Sequence, residues 1–362
     1  YVGRCRNLSP EEREKKIREG LPHVYRLLYP PDEEQISFVD LIRGEVQFQV
    51  GNLGGDLVLT RADGTPTYQF AVVVDDHRMK ITHVLRGEDH LTNTAKQILL
   101  YRAFGWTPPQ FGHFPMILGT DRSKLSKRHG GTTVEEYRRM GVLPSALVNY
   151  LALLGWNPGD EKEVMGEEEL IQLFSLSKVH SSPAVFDIHK LRWMNGVYIR
   201  SLSREKFVEE GVRWVKKFEP SFFEKVPVEI FRFVLPIYQD SIFFLEEIPR
   251  ALLPLYEVGL DKKEGEKIVS MKEFPVVVLF LSRIKDTIPQ ETGEERDRFW
   301  EMVVDGLKKE GVSGKGLFLP LRFVLTGFPS GPDLKSLFRY IPFRLLKERI
   351  ERARQWIELS HP

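Results

Sequence analysis

Ile81-Thr82-His83-Val84-Leu85-Arg86 reads as a strand, and Gly87-Glu88-Asp89-His90 as the polar turn that ends it. Leu91, Ala95, Ile98, Leu99, Arg102 and Ala103 then recur at helical spacing. Phe111-Gly112-His113-Phe114-Pro115-Met116-Ile117-Leu118 is an apolar run with Pro and Gly signals at its bounds, which predicts a second, buried strand. Strand, turn, helix and strand form a βαβ-like unit, as expected of half a nucleotide-binding sheet.

Immediately after the second strand comes Lys124-Leu125-Ser126-Lys127-Arg128, then Gly130-Gly131, and then Thr133 and Glu136 at capping-box spacing for a new helix. Three cations on a glycine-hinged loop between strand and helix lie where an α/β sheet usually binds ligands. Such lysines can swing onto a polyphosphate and neutralise charge developing on a leaving group. Taken alone, the pattern fits a solvated surface loop as well.

Toward the N-terminus, Ser9-Pro10-Glu11-Glu12 predicts a short capped helix ended by Gly20, and residues 23–50 carry short apolar runs that suggest strands. Residues 56–60 and 67–74 flank Asp63-Gly64, a hairpin-turn signal, and are expected to be its two arms. Toward the C-terminus, residues 144–154, 167–174 and 187–195 read as helices, and beyond Ser203 the pattern is helix after helix. Gly311-Val312-Ser313-Gly314-Lys315-Gly316 superficially suggests a phosphate loop but lacks the Gly-Lys-Ser/Thr ending and an upstream strand, so it is rejected.

The chain's 362 residues, 42% apolar with 24 Phe, are enough for two or three domains with sizeable cores. Lys and Arg number 52 against 51 acidic residues, so the net charge of +1 neither supports nor excludes a nucleic-acid partner. One cysteine excludes an internal disulfide framework and fits a reducing compartment, hence a cytoplasmic location. No apolar run reaches the length of a membrane span.

Four blocks together resemble the bacterial-type glutamyl-tRNA synthetases, a group of class I aminoacyl-tRNA synthetases. They are Asp63-Gly64-Thr65-Pro66-Thr67-Tyr68-Gln69-Phe70-Ala71-Val72-Val73-Val74-Asp75-Asp76, the segment from Ile81 to Leu91, the lysine loop, and Phe186-Asp187-Ile188-His189-Lys190-Leu191-Arg192-Trp193-Met194-Asn195. A weaker fifth block is Pro320-Leu321-Arg322-Phe323-Val324-Leu325-Thr326-Gly327. The resemblance runs from end to end, in order. It implies an α/β fold, the second half of a class I Rossmann-like domain with a mixed α/β insertion, followed by an all-α anticodon-binding region. The implied boundaries are 1–78 for the insertion and the strands leading to the core, 79–131 for the nucleotide fold, 132–202 for a stem-contact domain and 203–362 for the anticodon domain.

The resemblance also implies the chemistry: ATP and glutamate give glutamyl-adenylate and pyrophosphate, and the acyl group passes to the 3′ end of tRNA(Glu). By motif, Lys127 and Lys124 would be catalytic, and Lys124, Ser126, Lys127 and Arg128 would bind ATP, with Mg2+ beside the triphosphate. Tyr68, expected on a strand, would border the glutamate pocket; on its own it reads equally as a buried tyrosine with a satisfied hydroxyl. Arg86 would grip the substrate carboxylate bidentately, its alternative being an ion pair with Glu88 or Asp89. Glu88 would lie by ATP and Asp89 by the tRNA terminus, or both are simply solvated at a helix start. Lys190 and Arg192 would contact tRNA phosphates, with Leu191 and Trp193 as core or packing residues. Arg322 would belong to the tRNA-binding region, where Arg339, Arg344, Arg349, Arg352 and Arg354 also gather near Phe338, Tyr340, Phe343 and Trp356.

Two departures stand out. No His-Ile-Gly-His-like tetrapeptide occurs, so half the ATP site is expected to lie in a missing N-terminal segment, with this polypeptide inactive alone; a non-catalytic tRNA-binding relative is the alternative. Cys5 stands alone where some relatives bind zinc through several cysteines, so no zinc is expected here. A glutamine-specific relative is disfavoured, because the C-terminal region lacks a strand-rich pattern.

Overall fold

The computed structural model describes residues 5–29, 35–126, 133–159, 161–257, 259–260, 265–290 and 293–360. The chain divides into two compact units: residues 1–129 with 149–187, and 130–148 with 188–362. In chain order the elements used below are α1 (Pro10–Arg18), β1 (Arg26–Leu27), β2 (Gln35–Asp40), β3 (Gly44–Gln49), β4 (Leu57–Val58), α2 (Tyr68–Arg78), β5 (His83–Gly87), α3 (Leu91–Ala103), β6 (Gln110–Phe114), β7 (Ile117–Leu118), α4 (Val134–Met140), α5 (Pro144–Ala152), α6 (Glu167–Leu173), β8 (Ala184–Val185), α7 (Ile188–Ser201) and α8 (Arg204–Phe218).

The first unit is an α/β unit, as expected. Its main sheet has the order β3-β2-β6-β5. β2 and β3 form an antiparallel hairpin, while β5 and β6 run parallel with Arg86 opposite His113 and Gly87 opposite Phe114. α3 is the crossover, and its Ala95, Ile98 and Leu99 pack with Ile36 and Phe111 of the sheet. Both expected capping boxes form, at Ser9–Glu12 and Thr133–Glu136.

Two strand expectations are corrected. Residues 67–74 are not a hairpin arm: Thr67 is the N-cap of α2. The Asp63-Gly64 turn does form, with Asp63 Oδ1 accepting from the Thr65 amide and hydroxyl, but its arms meet only at the single bridge Thr60–Pro66. The β-branched run misled because packing overrides propensity: Val73 is buried beside Leu100 and Tyr101 of α3, with Val72 against the same cluster. Tyr68 therefore begins a helix instead of lying on a strand. The run 111–118 is likewise broken into β6 and β7 at Pro115-Met116, since a proline has no N–H to give the ladder. β7 pairs with β8 instead.

The second unit is helical throughout its described residues. Phe274–Ile284, Glu294–Lys309, Gly314–Thr326 and Phe343–Ser360 are its longer C-terminal helices. Val277, Leu307, Leu317, Leu321, Leu346 and Ile350 are buried among them. The rejected glycine-rich segment is the approach to the helix Gly314–Thr326, with Ser313 as N-cap and Val312 buried.

Candidate active site

Arg86 sits near the C-terminal end of β5, and its register partner on β6 is His113. Both side chains meet the first turns of α3. Arg86 Nε donates to His113 Nε2 (3.3 Å), and its Nη2 donates to Thr94 Oγ1 (2.6 Å) and Gln97 Oε1 (2.8 Å). Gln97 is oriented in turn by donating Nε2 to Gln69 Oε1 on α2 (2.9 Å). The guanidinium carbon stands 5.9 Å from the Phe111 ring centre. Among the described residues Arg86 forms no ion pair with a carboxylate, and its hydrogen-bond partners are neutral acceptors. Burial pushes its pKa down, and the Tyr68 hydroxyl, Asp76 and Asp89 oppose that shift. A desolvated cation with neutral partners favours an incoming carboxylate.

Tyr68 is exposed, not buried, its ring 6.1 Å from that of His90, and its hydroxyl is near enough to Arg86 to favour the charged guanidinium. The structure thus brings Tyr68 and Arg86 together. Glu88 is engaged by two neighbours. Its Oε2 pairs with Arg43, and Oε1 accepts from the Met116 amide (2.8 Å), fixing the chain where Pro115 ends the strand. This engagement removes Glu88 as an ion-pair partner for Arg86. Asp89 is exposed, and its Oδ1 lies over Gly87, 2.7 Å from where a Cβ would stand.

Beyond β7 the chain folds back on itself. The Leu125 amide donates to Ile117 O, and Lys124 bridges to Leu118, so exposed Lys124 stands on a small hairpin rooted in β7. Ser126 follows, half-buried. Lys127 and Arg128 lie outside the described residues.

Sequence reading missed the polar chain behind Arg86. Asp40, at the end of β2, accepts from His113 Nδ1 at 2.6 Å through Oδ2, and from the Ile42, Arg43 and His113 amides through Oδ1. Asp40 is 2% exposed and His113 0%. Burial would raise the Asp40 pKa, but the hydrogen bonds from His113 and the amides outweigh it and hold the carboxyl below its ordinary range. Burial pushes the His113 pKa down, aided by Arg86 and Arg43 and opposed by Asp40. The available signals were a lone histidine in an apolar strand and two polar residues, Thr94 and Gln97, on the buried face of α3.

In the helical unit, Leu191 is a core residue, whereas Trp193 is 43% exposed and so not part of the core. Lys190 is half-buried. Arg192 pairs with Glu247 and lies over the Phe243 ring, 4.6 Å from its centre. Asn195 is structural, accepting from the Leu143 amide and donating to the Phe243 and Gly141 carbonyls. Arg322 donates Nη2 to Pro332 O (2.6 Å), closing the turn after its helix, and burial lowers its pKa. Cys5 is an exposed free thiol, and among the described residues no three His, Cys, Asp or Glu side chains converge on a metal position. No described helix is long and apolar enough to cross a membrane.

Residues 1–193 match the family model described as tRNA synthetases class I (E and Q), catalytic domain. Glutamate–tRNA ligase 2 of Caldanaerobacter subterraneus subsp. tengcongensis is 39% identical over 361 residues, covering 99% of this chain and 73% of that protein. The glutamate–tRNA ligase of Aquifex aeolicus is 41% identical over 357 residues, covering 98% of this chain and 74% of the relative. The crystal structure of a glutamate tRNA ligase from Elizabethkingia meningosepticum in complex with its amino acid superposes with a TM-score of 0.79 at 31% identity, covering 98% of this chain and 74% of that one. A mixed α/β sheet unit, a helical second unit, and relatives of this similarity across nearly every residue place the chain in the glutamate–tRNA ligase family of class I aminoacyl-tRNA synthetases.

Proposed function

We propose that this chain carries the glutamate-binding and phosphate-binding parts of an ATP-dependent ligase that forms glutamyl-adenylate and transfers glutamate to the 3′ end of tRNA(Glu). The observation that carries this reading is Arg86, a partly buried guanidinium fixed by Thr94, Gln97 and His113 and paired with no carboxylate among the described residues. Its charge selects the γ-carboxylate of glutamate, and the Tyr68 hydroxyl beside it borders the same pocket. The neutral amide of glutamine leaves that charge uncompensated, which supports an acidic substrate.

Lys124 and Lys127, with Ser126 and Arg128, bind the ATP phosphates and stabilise the charge that develops as pyrophosphate departs. Glu88 acts on this loop indirectly, holding the Met116 amide at the root of β7. Asp89, at the exposed start of α3, faces the ribose end of the nucleotide or the tRNA terminal adenosine. Mg2+ enters as the counter-ion of ATP; the described residues offer no carboxylate cage for it, and no step is routed through it.

Lys190 and Arg192 are the tRNA-phosphate contacts of this reading, with exposed Trp193 beside them as a stacking surface. Arg322 supports the RNA-binding region through the turn at Pro332. Glutamate-dependent ATP–pyrophosphate exchange by the full-length protein tests the assignment. Arg86→Ala is expected to raise the glutamate KM by about a hundredfold while leaving the ATP KM within about twofold. Equal loss for both substrates would overturn the assignment of Arg86 to glutamate. A non-catalytic tRNA-binding role predicts salt-sensitive tRNA affinity with no exchange at all.

A further inference from the structure

We propose that Asp40 and His113 are positioning residues for glutamate selection, holding the Arg86 guanidinium in one orientation through a fixed imidazole tautomer. The inference rests on the reading of Arg86 as the glutamate ligand.

The tautomer follows from what each partner can do. A carboxylate that accepts three backbone amides can only accept, so His113 Nδ1 carries the proton in the 2.6 Å contact with Asp40. Arg86 Nε can only donate, so His113 Nε2 must present its lone pair. The Thr94 hydroxyl, which receives Arg86 Nη2, gives its own proton to the same Nε2 across 2.9 Å; its contact with His90 O is longer, at 3.4 Å. Every link has one polarity. The Nε and Nη2 side of the guanidinium is thereby committed to Nε2, Thr94 and Gln97, and the plane cannot rotate without breaking all three.

Protonation of His113 would reverse the arrangement. Nε2 would then point a proton at the Nε–H of Arg86, with two like charges in contact. Among the described residues, the charged groups that face the ring are Asp40 from β2, Arg43 from the turn after it and Arg86 from β5, while α3 presents the neutral Thr94 hydroxyl. The depressed pKa of His113 agrees with a neutral ring at physiological pH. A merely structural histidine would not need this polarity, because a core ring between two acceptors would serve packing equally well.

The test measures glutamate and ATP KM values in pyrophosphate exchange by the full-length protein for Arg86→Ala, Asp40→Asn, His113→Leu and His113→Gln. Asp40→Asn is nearly isosteric but lets the ring take the other tautomer. It is expected to raise the glutamate KM about tenfold or more with the ATP KM unchanged. His113→Leu should do the same, and His113→Gln, whose amide oxygen can stand in for the Nε2 acceptor, should recover much of the loss. Loss of glutamate affinity in Arg86→Ala with none in Asp40→Asn or His113→Leu overturns the positioning role alone. No effect in Arg86→Ala overturns the parent reading instead. Equal damage to both substrates in Asp40→Asn, or no difference between the two His113 variants, also counts against the proposal. A readout without any substitution is the nitrogen NMR spectrum of the unmodified protein, which should show His113 protonated on Nδ1; protonation on Nε2 would refute the mechanism.

Discussion

Arg86 in the sheet unit and Arg296 and Arg349 in the helical unit are all desolvated guanidiniums that pair with no carboxylate among the described residues, yet they are held in different ways. Arg349 is 0% exposed and donates to the carbonyls of Leu325, Pro254 and Glu257. Arg296, also 0% exposed, donates to the carbonyls of Pro289, Gln290, Phe338 and Ile341. Burial lowers the pKa of each to about 10, so both remain charged at neutral pH. Their partners are main-chain atoms at helix ends and loops, groups that need a donor in any case. Arg86 is held by side chains, which are themselves held by other side chains, and it is only partly covered. A buried arginine among carbonyls is a clamp for loops; one braced by a relay of side chains at a strand end is held in a fixed orientation, and its proposed role is to meet a substrate.

The largest effect that sharpens this contrast is on chemistry. Lys127→Ala should reduce pyrophosphate exchange by about a hundredfold or more while the thermal midpoint stays unchanged. Normal exchange by that variant would end the catalytic assignment of the loop. Arg349→Met should do the converse, lowering stability by about 3 kcal/mol in urea unfolding because three carbonyls lose their donor, with the glutamate KM of the folded fraction intact. Arg349→Lys should rescue little, as one ammonium cannot span carbonyls on two segments. If Arg86→Ala destabilises the protein as much as Arg349→Met, the distinction between ligand and clamp fails.

A smaller loss is expected at Gly141, the left-handed C-cap of α4 (φ 81°), where a Cβ would lie 2.5 Å from the Leu245 amide nitrogen. Gly141→Ala should cost about 2 kcal/mol, measured by the same unfolding curves, and should leave glutamate affinity alone.

The smallest effect is a pH dependence confined to the sheet unit. An unfolded imidazole binds its proton near the ordinary 6.5, whereas buried His113 does so only at lower pH. Stability is therefore flat above that value and declines as pH falls from it toward the folded pKa. Asp40, held below its ordinary 3.8, adds a second decline beneath that value as the pH approaches its own folded pKa. His113→Gln should erase the first decline and keep the second.

Much of this was legible from local pattern. The β5–α3–β6 unit, both capping boxes and Arg86 at a strand end follow from spacing and from residue type. The Asp40–His113 contact was not, since it joins residues 73 positions apart, and no local rule registers a pair at that separation. α2 was misread because three consecutive valines favour a strand until α3 offers them a face to pack on. The Pro115 break was visible in the sequence, and the continuous apolar run obscured it. Arginine-rich composition near the C-terminus concealed two different classes of residue: Arg349 is interior, whereas Arg344 and Arg354 pair with Glu348 and Glu358 along their own helix.

The register that sets Arg86 opposite His113 also restricts where this gene can tolerate insertions. Adding or deleting one residue within β5 or β6 would turn the downstream side chains to the opposite face and separate the pair. The turn between α3 and β6, residues 104–109, lies outside both strands and can change length without altering which face either residue occupies. Length variation in this half of the sheet is thus channelled into one short connection.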